Sequence, residues 1–202
     1  MARKPAEQTV HPDAILHAAA TVFCRQGYHG ATMADIAAEV NLTAGSLYHH
    51  FPSKQELLLA VLDAGLGQMI SAVQAVVEGD AVPPEKLRQI VQLHVQSEID
   101  NVNIAAAVIF ESRALLEMPG VRDQYVRQRD ALEALYRRVI EDGIACGDFR
   151  ALDVGIFVKT MFGALNWVSV WYRPAGRMSG AEIAEEIART FLASLRPGAG
   201  MP

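Results

Sequence analysis

Cysteine is nearly missing from this chain of 202 residues, which has only Cys24 and Cys146. The two stand far apart in helical patterns without metal-ligand spacing. That excludes a disulfide framework or a zinc cluster and fits a reducing compartment, so a cytoplasmic location is expected. Long apolar runs are missing too. The longest, Ile104 to Phe110, falls well short of the roughly 18 residues a bilayer crossing needs, so no membrane association is expected. The start, Met1 to Gln8, has Arg3 and Lys4 but no apolar stretch behind them, so it does not read as a signal peptide. Positive charge is also scarce, with 18 lysines and arginines against 23 carboxylates and a net charge of −5. Residues 1–56 repeat the pattern: Arg3, Lys4, Arg25 and Lys54 against Glu7, Asp13, Asp35, Glu39 and Glu56, a balance of −1. By electrostatics alone this counts against nucleic-acid binding. Finally, no catalytic constellation emerges. His17, His94 and the carboxylates lack nucleophile–base or metal spacing, and the adjacent His49 and His50 would point apart on a helix. No enzyme activity, metal or cofactor is expected.

What the chain does have is apolar material with helical periodicity. Hydrophobic residues make up 51% and charged residues 20%, enough for a sizeable core. No alternating strand pattern stands out. The first helix is expected over Pro12–Gln26, with Pro12 at its first position, Gly27 as its stop, and Ile15, Ala19, Val22 and Phe23 on one face. Short helices follow at Met33–Val40, with Thr32 as cap, and at Ala44–His49. A long one begins at Lys54 behind Ser53 and fades near Glu78. Further helices read as Glu85–Asp100, Asn103–Leu116, Val121–Asp142, Val154–Tyr172 and Ser179–Leu195, with Asp153 and Ser179 as N-caps. The fold is therefore all-α with about nine helices. It divides into a three-helix unit over residues 1–52 and a larger helical unit over residues 53–202.

The stretch from Ala31 to Phe51 points to a function. Two helices under ten residues long are unstable alone and need a shared core. Ile36, Ala37 and Val40 supply one apolar face, and Leu42 and Leu47 anchor the other. Asn41 sits in the turn, where a left-handed backbone favours asparagine. This is helix-turn-helix geometry, which presents the second helix to the DNA major groove. The exposed face of that helix, Thr43, Ala44, Gly45 and Ser46, is unusually small, so the helix can lie deep in a groove with its N–H groups near a phosphate. Tyr48, His49 and Lys54 flank it as phosphate donors, and Thr32 can do the same from the preceding helix. Such contacts position a duplex without a dense basic patch and imply a modest salt dependence.

The pattern Thr32…Ile36-Ala37…Thr43-x-Gly45-x-Leu47-Tyr48-x-His50-Phe51-x-Ser53-Lys54-x-x-Leu57 resembles the TetR (tetracycline-repressor) family of bacterial regulators. Val40-Asn41 departs from the more usual Ala-Gly but keeps the turn feasible. The resemblance implies a DNA-binding three-helix domain and a helical domain that dimerises and holds a ligand. It assigns DNA contacts to Thr32, Thr43, Ser46, Tyr48, His49 and Lys54. The stretch from Phe162 to Ala184 is similar to a subgroup that includes fatty-acid and sterol-catabolism regulators, whose typical effectors are acyl-CoA thioesters.

In the larger unit, two amphipathic helices carry Phe157, Met161, Phe162, Trp167, Val168 and Trp171, and then Ile183, Ile187, Phe191, Leu192 and Leu195. Paired with their two-fold mates, the helices Val154–Tyr172 and Ser179–Leu195 would form the four-helix interface of a homodimer. Asn166 in that surface serves either a ligand or the dimer axis. Met69, Phe110, Met118, Tyr125 and Phe162 serve either as core or as an apolar effector pocket. Arg113, Arg122, Arg127, Arg129, Arg137 and Arg138 either form a solvated face paired with Glu117, Asp123, Asp130 and Glu133 or, in part, meet ligand phosphates. His50 and Phe51 are expected to pack the small domain. The resulting expectation is a repressor dimer on a near-palindromic operator, modulated by a small, largely apolar effector through Phe110, Arg113, Tyr125, Phe162 and Asn166. Rival readings are a helical small-molecule binding protein without DNA activity and an enzyme built on a helical bundle. A gel shift separates the first from a regulator, and turnover assays with acyl-CoA expose the second.

Overall fold

The computed structural model describes residues 11–118 and 121–197, and only the backbone of 112–115. Ten helical segments follow one another: α1 Pro12–Gly30, α2 Met33–Glu39, α3 Ala44–His50, α4 Lys54–Glu78, α5 Pro83–Asp100, α6 Val102–Leu116, α7 Val121–Ala145, α8 Val154–Asn166, α9 Val168–Trp171 and α10 Gly180–Leu195. The single turn α9 continues α8 past a break at Trp167, so the expected Val154–Tyr172 helix is present but interrupted. Among the described residues there is no strand.

The caps are those the side chains dictate. Thr32, Thr43, Ser53, Asp153 and Ser179 each accept a backbone N–H three residues on, satisfying one of the otherwise orphaned donors of the first turn. Thr32–Asp35 and Ser179–Glu182 form reciprocal capping boxes. Hydrogen bonds from the Thr32 hydroxyl and N–H hold the Asp35 carboxyl below the ordinary carboxylate range. Gly27 breaks α1 with φ 70°, where glycine has no steric penalty.

Two apolar cores are built. The smaller gathers Ile15, Ala19, Val22, Phe23, Ile36, Ala37 and Leu47 around the first turns of α4 (Leu57, Leu58, Val61 and Leu62). The larger gathers Met69, Val73 and Val77 of α4 with residues of α5, α7, α8 and α10. One helix therefore serves both cores, and α6 and α7 reach back into the smaller one through Ile104, Ala107, Val121 and Tyr125. Arg150 holds the last turn of α10, its N–H and Nε donating to the carbonyls of Leu195 (2.9 Å) and Ser194 (2.8 Å).

One expectation needs correction here, and the face expected for the last helix is narrowed. Lys54–Glu78 and Val154–Trp171 are long and apolar enough, by length and composition, to cross a bilayer. Unbroken runs had understated them, because isolated polar residues such as Gln68 and Ser71 interrupt a run without much lowering its mean. The α4 leucines and valines nevertheless turn into the two cores. On α10, Ile183, Phe191 and Leu195 are buried within the subunit, leaving only Ile187 and Leu192 half-exposed. Most of that face is already covered by this chain's own core, and α5 is tied to α10 by the Arg88–Glu185 pair.

Gly143 shows how tightly the larger core closes. A Cβ there would lie 2.1 Å from the ring of buried Phe149. Gly143→Ala is expected to displace that ring and destabilise the fold by about 1–3 kcal/mol. A thermal melt should fall by ~2–4 °C per kcal/mol for a chain of this size.

Candidate nucleic-acid interface and effector cavity

Asn41 makes the turn that aims α3. It is the only non-glycine described residue with positive φ, at 55°. The Leu42 N–H then returns to the Ala37 carbonyl at 2.8 Å. Leu47 is completely buried and pins α3 to the small core, while Gly45, Tyr48, His49 and His50 face solvent. Tyr48 is 50% exposed, large for an aromatic with no packing role. A Cβ on Gly45 would meet nothing nearer than Thr43 Oγ1 at 3.7 Å, so the fold itself does not require glycine there. Phe51 packs partly against the core as expected, but His50 does not, because it sits on the outward side of the last turn.

The hydroxyls can be accounted for atom by atom. The Thr32 hydroxyl donates to Asp35 Oδ2 at 2.6 Å and accepts the Asp35 N–H, so its proton is spent. Thr43 Oγ1 accepts the Ser46 N–H at 3.1 Å and lies 3.0 Å from Ser46 Oγ. One proton is shared between those two hydroxyls, and the other stays available to an outside acceptor. Lys54 is placed differently from the expectation. Its ammonium donates to the carbonyls of Tyr28 (2.6 Å) and Ala31 (2.7 Å) and lies 4.5 Å from the Tyr28 ring centroid. It closes the end of α1 that Gly27 breaks. Arg25 is paired with Glu39 at 2.8 Å.

A cavity of about 410 Å³ opens between α1, α4, α5, α6, α7 and α8. That lies within the range of small-molecule sites, roughly 300–1,000 Å³. Its wall includes Leu66, Met69, Ile104, Val108, Leu132 and Phe162. Of the five expected effector residues, Tyr125, Phe162 and Asn166 line it. Phe110 does not: it points outward, its ring edge-on to Trp167 at 6.1 Å. The Arg113 side chain falls outside the described residues. Met118 packs against the small core instead. The arginines mostly form the solvated face, with Arg129 on Asp130 (3.0 Å), Arg137 on Glu133 (2.7 Å) and Arg138 near Asp142 (4.0 Å). Among the described residues, Arg129 and Lys159 are the cations on the cavity wall, and Lys159 meets Glu133 at 3.0 Å.

The sequence did not reveal the polar centre of this wall. His94 is buried, its Nδ1 2.7 Å from Tyr136 Oη and its Nε2 2.9 Å from Asn166 Oδ1. One neutral tautomer satisfies both: Tyr136 donates to Nδ1, and Nε2–H donates to Asn166. Burial, with the Glu98 charge nearby, pushes the Tyr136 phenol far above its usual range, which keeps it a donor. Glu98 lies one turn beyond His94, Oε1 3.7 Å from Nε2. The available signal was the four-residue spacing of His94 and Glu98, which places both on one face of α5 among Leu87, Ile90, Val91 and Val95.

α6 joins the cavity to the N-terminal helices. Ile104, Ala105 and Val108 line the cavity, while Asn103 donates to Thr21 Oγ1 (2.9 Å) and Glu111 Oε2 accepts the Tyr28 N–H (3.0 Å) at the α1 break. The Cys24 thiol donates to the Asn103 carbonyl at 3.1 Å. Desolvation and then the Glu111 charge push that thiol up to about 11. At Gly65 a Cβ would lie 2.9 Å from Ile104 Cγ2, so α4 and α6 touch closely beside the same cavity.

An outward-turned helix of small residues, on an N-terminal helical unit backed by a helical bundle, is the arrangement of helix-turn-helix DNA-binding proteins. Residues 15–61 match the family model for bacterial regulatory proteins of the tetR family, and residues 80–195 match the tetracyclin repressor-like C-terminal domain. The HTH-type transcriptional repressor KstR2 of Mycolicibacterium smegmatis is 30% identical over 198 residues, covering 96% of this chain and 93% of that protein. The solved structure of the regulator PfmR from Thermus thermophilus is 30% identical with a TM-score of 0.81, covering 91% of this chain and 99% of that one. AibR, solved in complex with isovaleryl coenzyme A and operator DNA, is 25% identical with a TM-score of 0.78, covering 92% and 98%. The chain belongs to the TetR family of DNA-binding transcriptional regulators.

Proposed function

We propose that this chain is a cytoplasmic repressor that binds a near-palindromic operator as a homodimer and lets go when a small, largely apolar effector fills the cavity. The observation that carries the reading is the outward face of α3. It is kept small at Gly45, where the subunit's own packing makes no such demand, and flanked by exposed Tyr48 and His49. Ala44 and Gly45 would admit the helix to the major groove. Tyr48, His49 and the free hydroxyl proton of the Thr43–Ser46 pair would meet phosphates or base edges. Lys54 and Thr32 act here as positioning groups that fix the scaffold. In a dimer, two copies of α3 about 34 Å apart would read successive grooves.

An acyl thioester is the effector class supported by the AibR complex, since AibR shares this fold. The route to DNA would be α4, which serves both cores, and α6, which lines the cavity and holds α1 through Asn103 and Glu111. Only a ligand with different affinity for the two spacings of the reading heads can shift them. Tyr48→Ala is expected to weaken operator binding about tenfold or more while dimerisation and effector binding stay intact. Fluorescence anisotropy with the upstream region of the chain's own gene measures this, and unchanged affinity would remove Tyr48 from the interface.

A further inference from the structure

Among the charged groups of the cavity wall, Glu133 is matched by Arg137 and Lys159, whereas Glu98 keeps a carboxylate oxygen unmatched. Glu98 is 8% exposed, and its Oε2 finds no hydrogen-bond partner among the described residues. The adjacent imidazole does not supply one. His94 uses both ring nitrogens on Tyr136 and Asn166, and its Nε2 lies 3.7 Å from the other carboxylate oxygen. Glu98, His94 and Asn166 all line the cavity, facing Leu66, Met69 and Phe162. A buried polar atom left unpaired is costly, and more so when charged, so a site that keeps one suits a partner that arrives with the ligand.

We propose that this is a hydroxyl-binding subsite: the effector carries a neutral alcohol on an apolar body, and its O–H donates to Glu98 Oε2. The inference rests on the cavity being the effector site. The alternatives fit less well. A ligand carboxylate would set acceptor against acceptor. An ether or ketone only accepts, so it pairs only with a protonated Glu98, whereas an ammonium only donates and pairs only with an ionised one. An alcohol does both and satisfies Glu98 in either form. The His94–Tyr136–Asn166 chain holds the α5 face in place from behind.

Two isomers isolate the donor. 1-Decanol and 1-methoxynonane have the same atoms and nearly the same apolar length, but only the first has an O–H. Calorimetric titration of the full-length protein is expected to show 1-decanol binding at least about tenfold tighter than the ether, with decylammonium weaker than the alcohol. Glu98→Leu is expected to erase the preference while keeping ether binding, and Glu98→Gln, which retains an acceptor, to restore part of it. Equal binding of the isomers by the unmodified protein, no binding of 1-decanol, tighter binding of decylammonium, or a preference that survives in Glu98→Leu would each overturn the assignment. The isomer comparison on the unmodified protein decides even if Glu98→Leu fails to fold. Val108→Trp, which fills the cavity, separates the two readings. Binding that persists in it sinks the cavity as effector site. Equal isomer binding that it abolishes sinks the hydroxyl subsite alone.

Discussion

Gly45→Leu is expected to lower operator affinity on the order of a hundredfold, about 2.7 kcal/mol, without lowering the melting temperature. The two halves of this result have separate causes. Inside the subunit, a Cβ at residue 45 has space, with its nearest neighbour 3.7 Å away. Leucine is also a better helix former than glycine by close to 1 kcal/mol, so stability holds or rises. Outside, the longer side chain would stand between α3 and the floor of the groove, once per subunit. A destabilising mutation loses binding along with its fold, whereas this one separates the two. Operator affinity unchanged beside an unchanged melt would place α3 away from the DNA.

Gly163→Glu is expected to turn the dimer into a monomer and to cut operator affinity by about a thousandfold or more, toward the non-specific level. Gly163 lies on α8 in a stripe with Ile156, Thr160 and Trp167, all exposed and spaced by three or four residues. Ile156 is 65% and Trp167 49% exposed, which is costly apolar surface for a lone subunit. A Cβ at Gly163 would meet nothing within 4 Å, so the charge disturbs no packing within the subunit. It would land, unpaired, on the face proposed to meet a partner helix, where two-fold symmetry would set the two glutamates close together. Sedimentation equilibrium and anisotropy on the same preparation test both effects. A variant that stays dimeric would move the interface off this face of α8.

Much of this molecule is legible in its sequence, and the reason is local. Caps at Thr32, Thr43, Ser53, Asp153 and Ser179 and the turn at Asn41 are set by residues within three positions of each other, so reading along the chain finds them. The small core follows from the spacing of Ile15, Ala19, Val22 and Phe23, all fully buried. What stays hidden depends on distance along the chain. Lys54 carries a conspicuous positive charge, yet its partners are carbonyls of the last turn of α1 and its C-cap, 26 and 23 residues earlier. His94 draws on Tyr136 and Asn166, 42 and 72 residues away, so its place in a buried network cannot be read from its neighbours in sequence. On α10 the apolar face was legible, but the surface that covers it was not. The same stripe suits a dimer partner or α5, and only packing decides.

The central claim is that two copies of α3 read one duplex together. The most direct measurement selects binding sites for the full-length protein from random-sequence duplexes and footprints the winners. The account predicts a two-fold symmetric motif whose half-sites lie one helical turn, about 10 base pairs, apart, protected on one face of the DNA and not recovered with Gly45→Leu. A winning motif without symmetry, or the same motif recovered by Gly45→Leu, would contradict it.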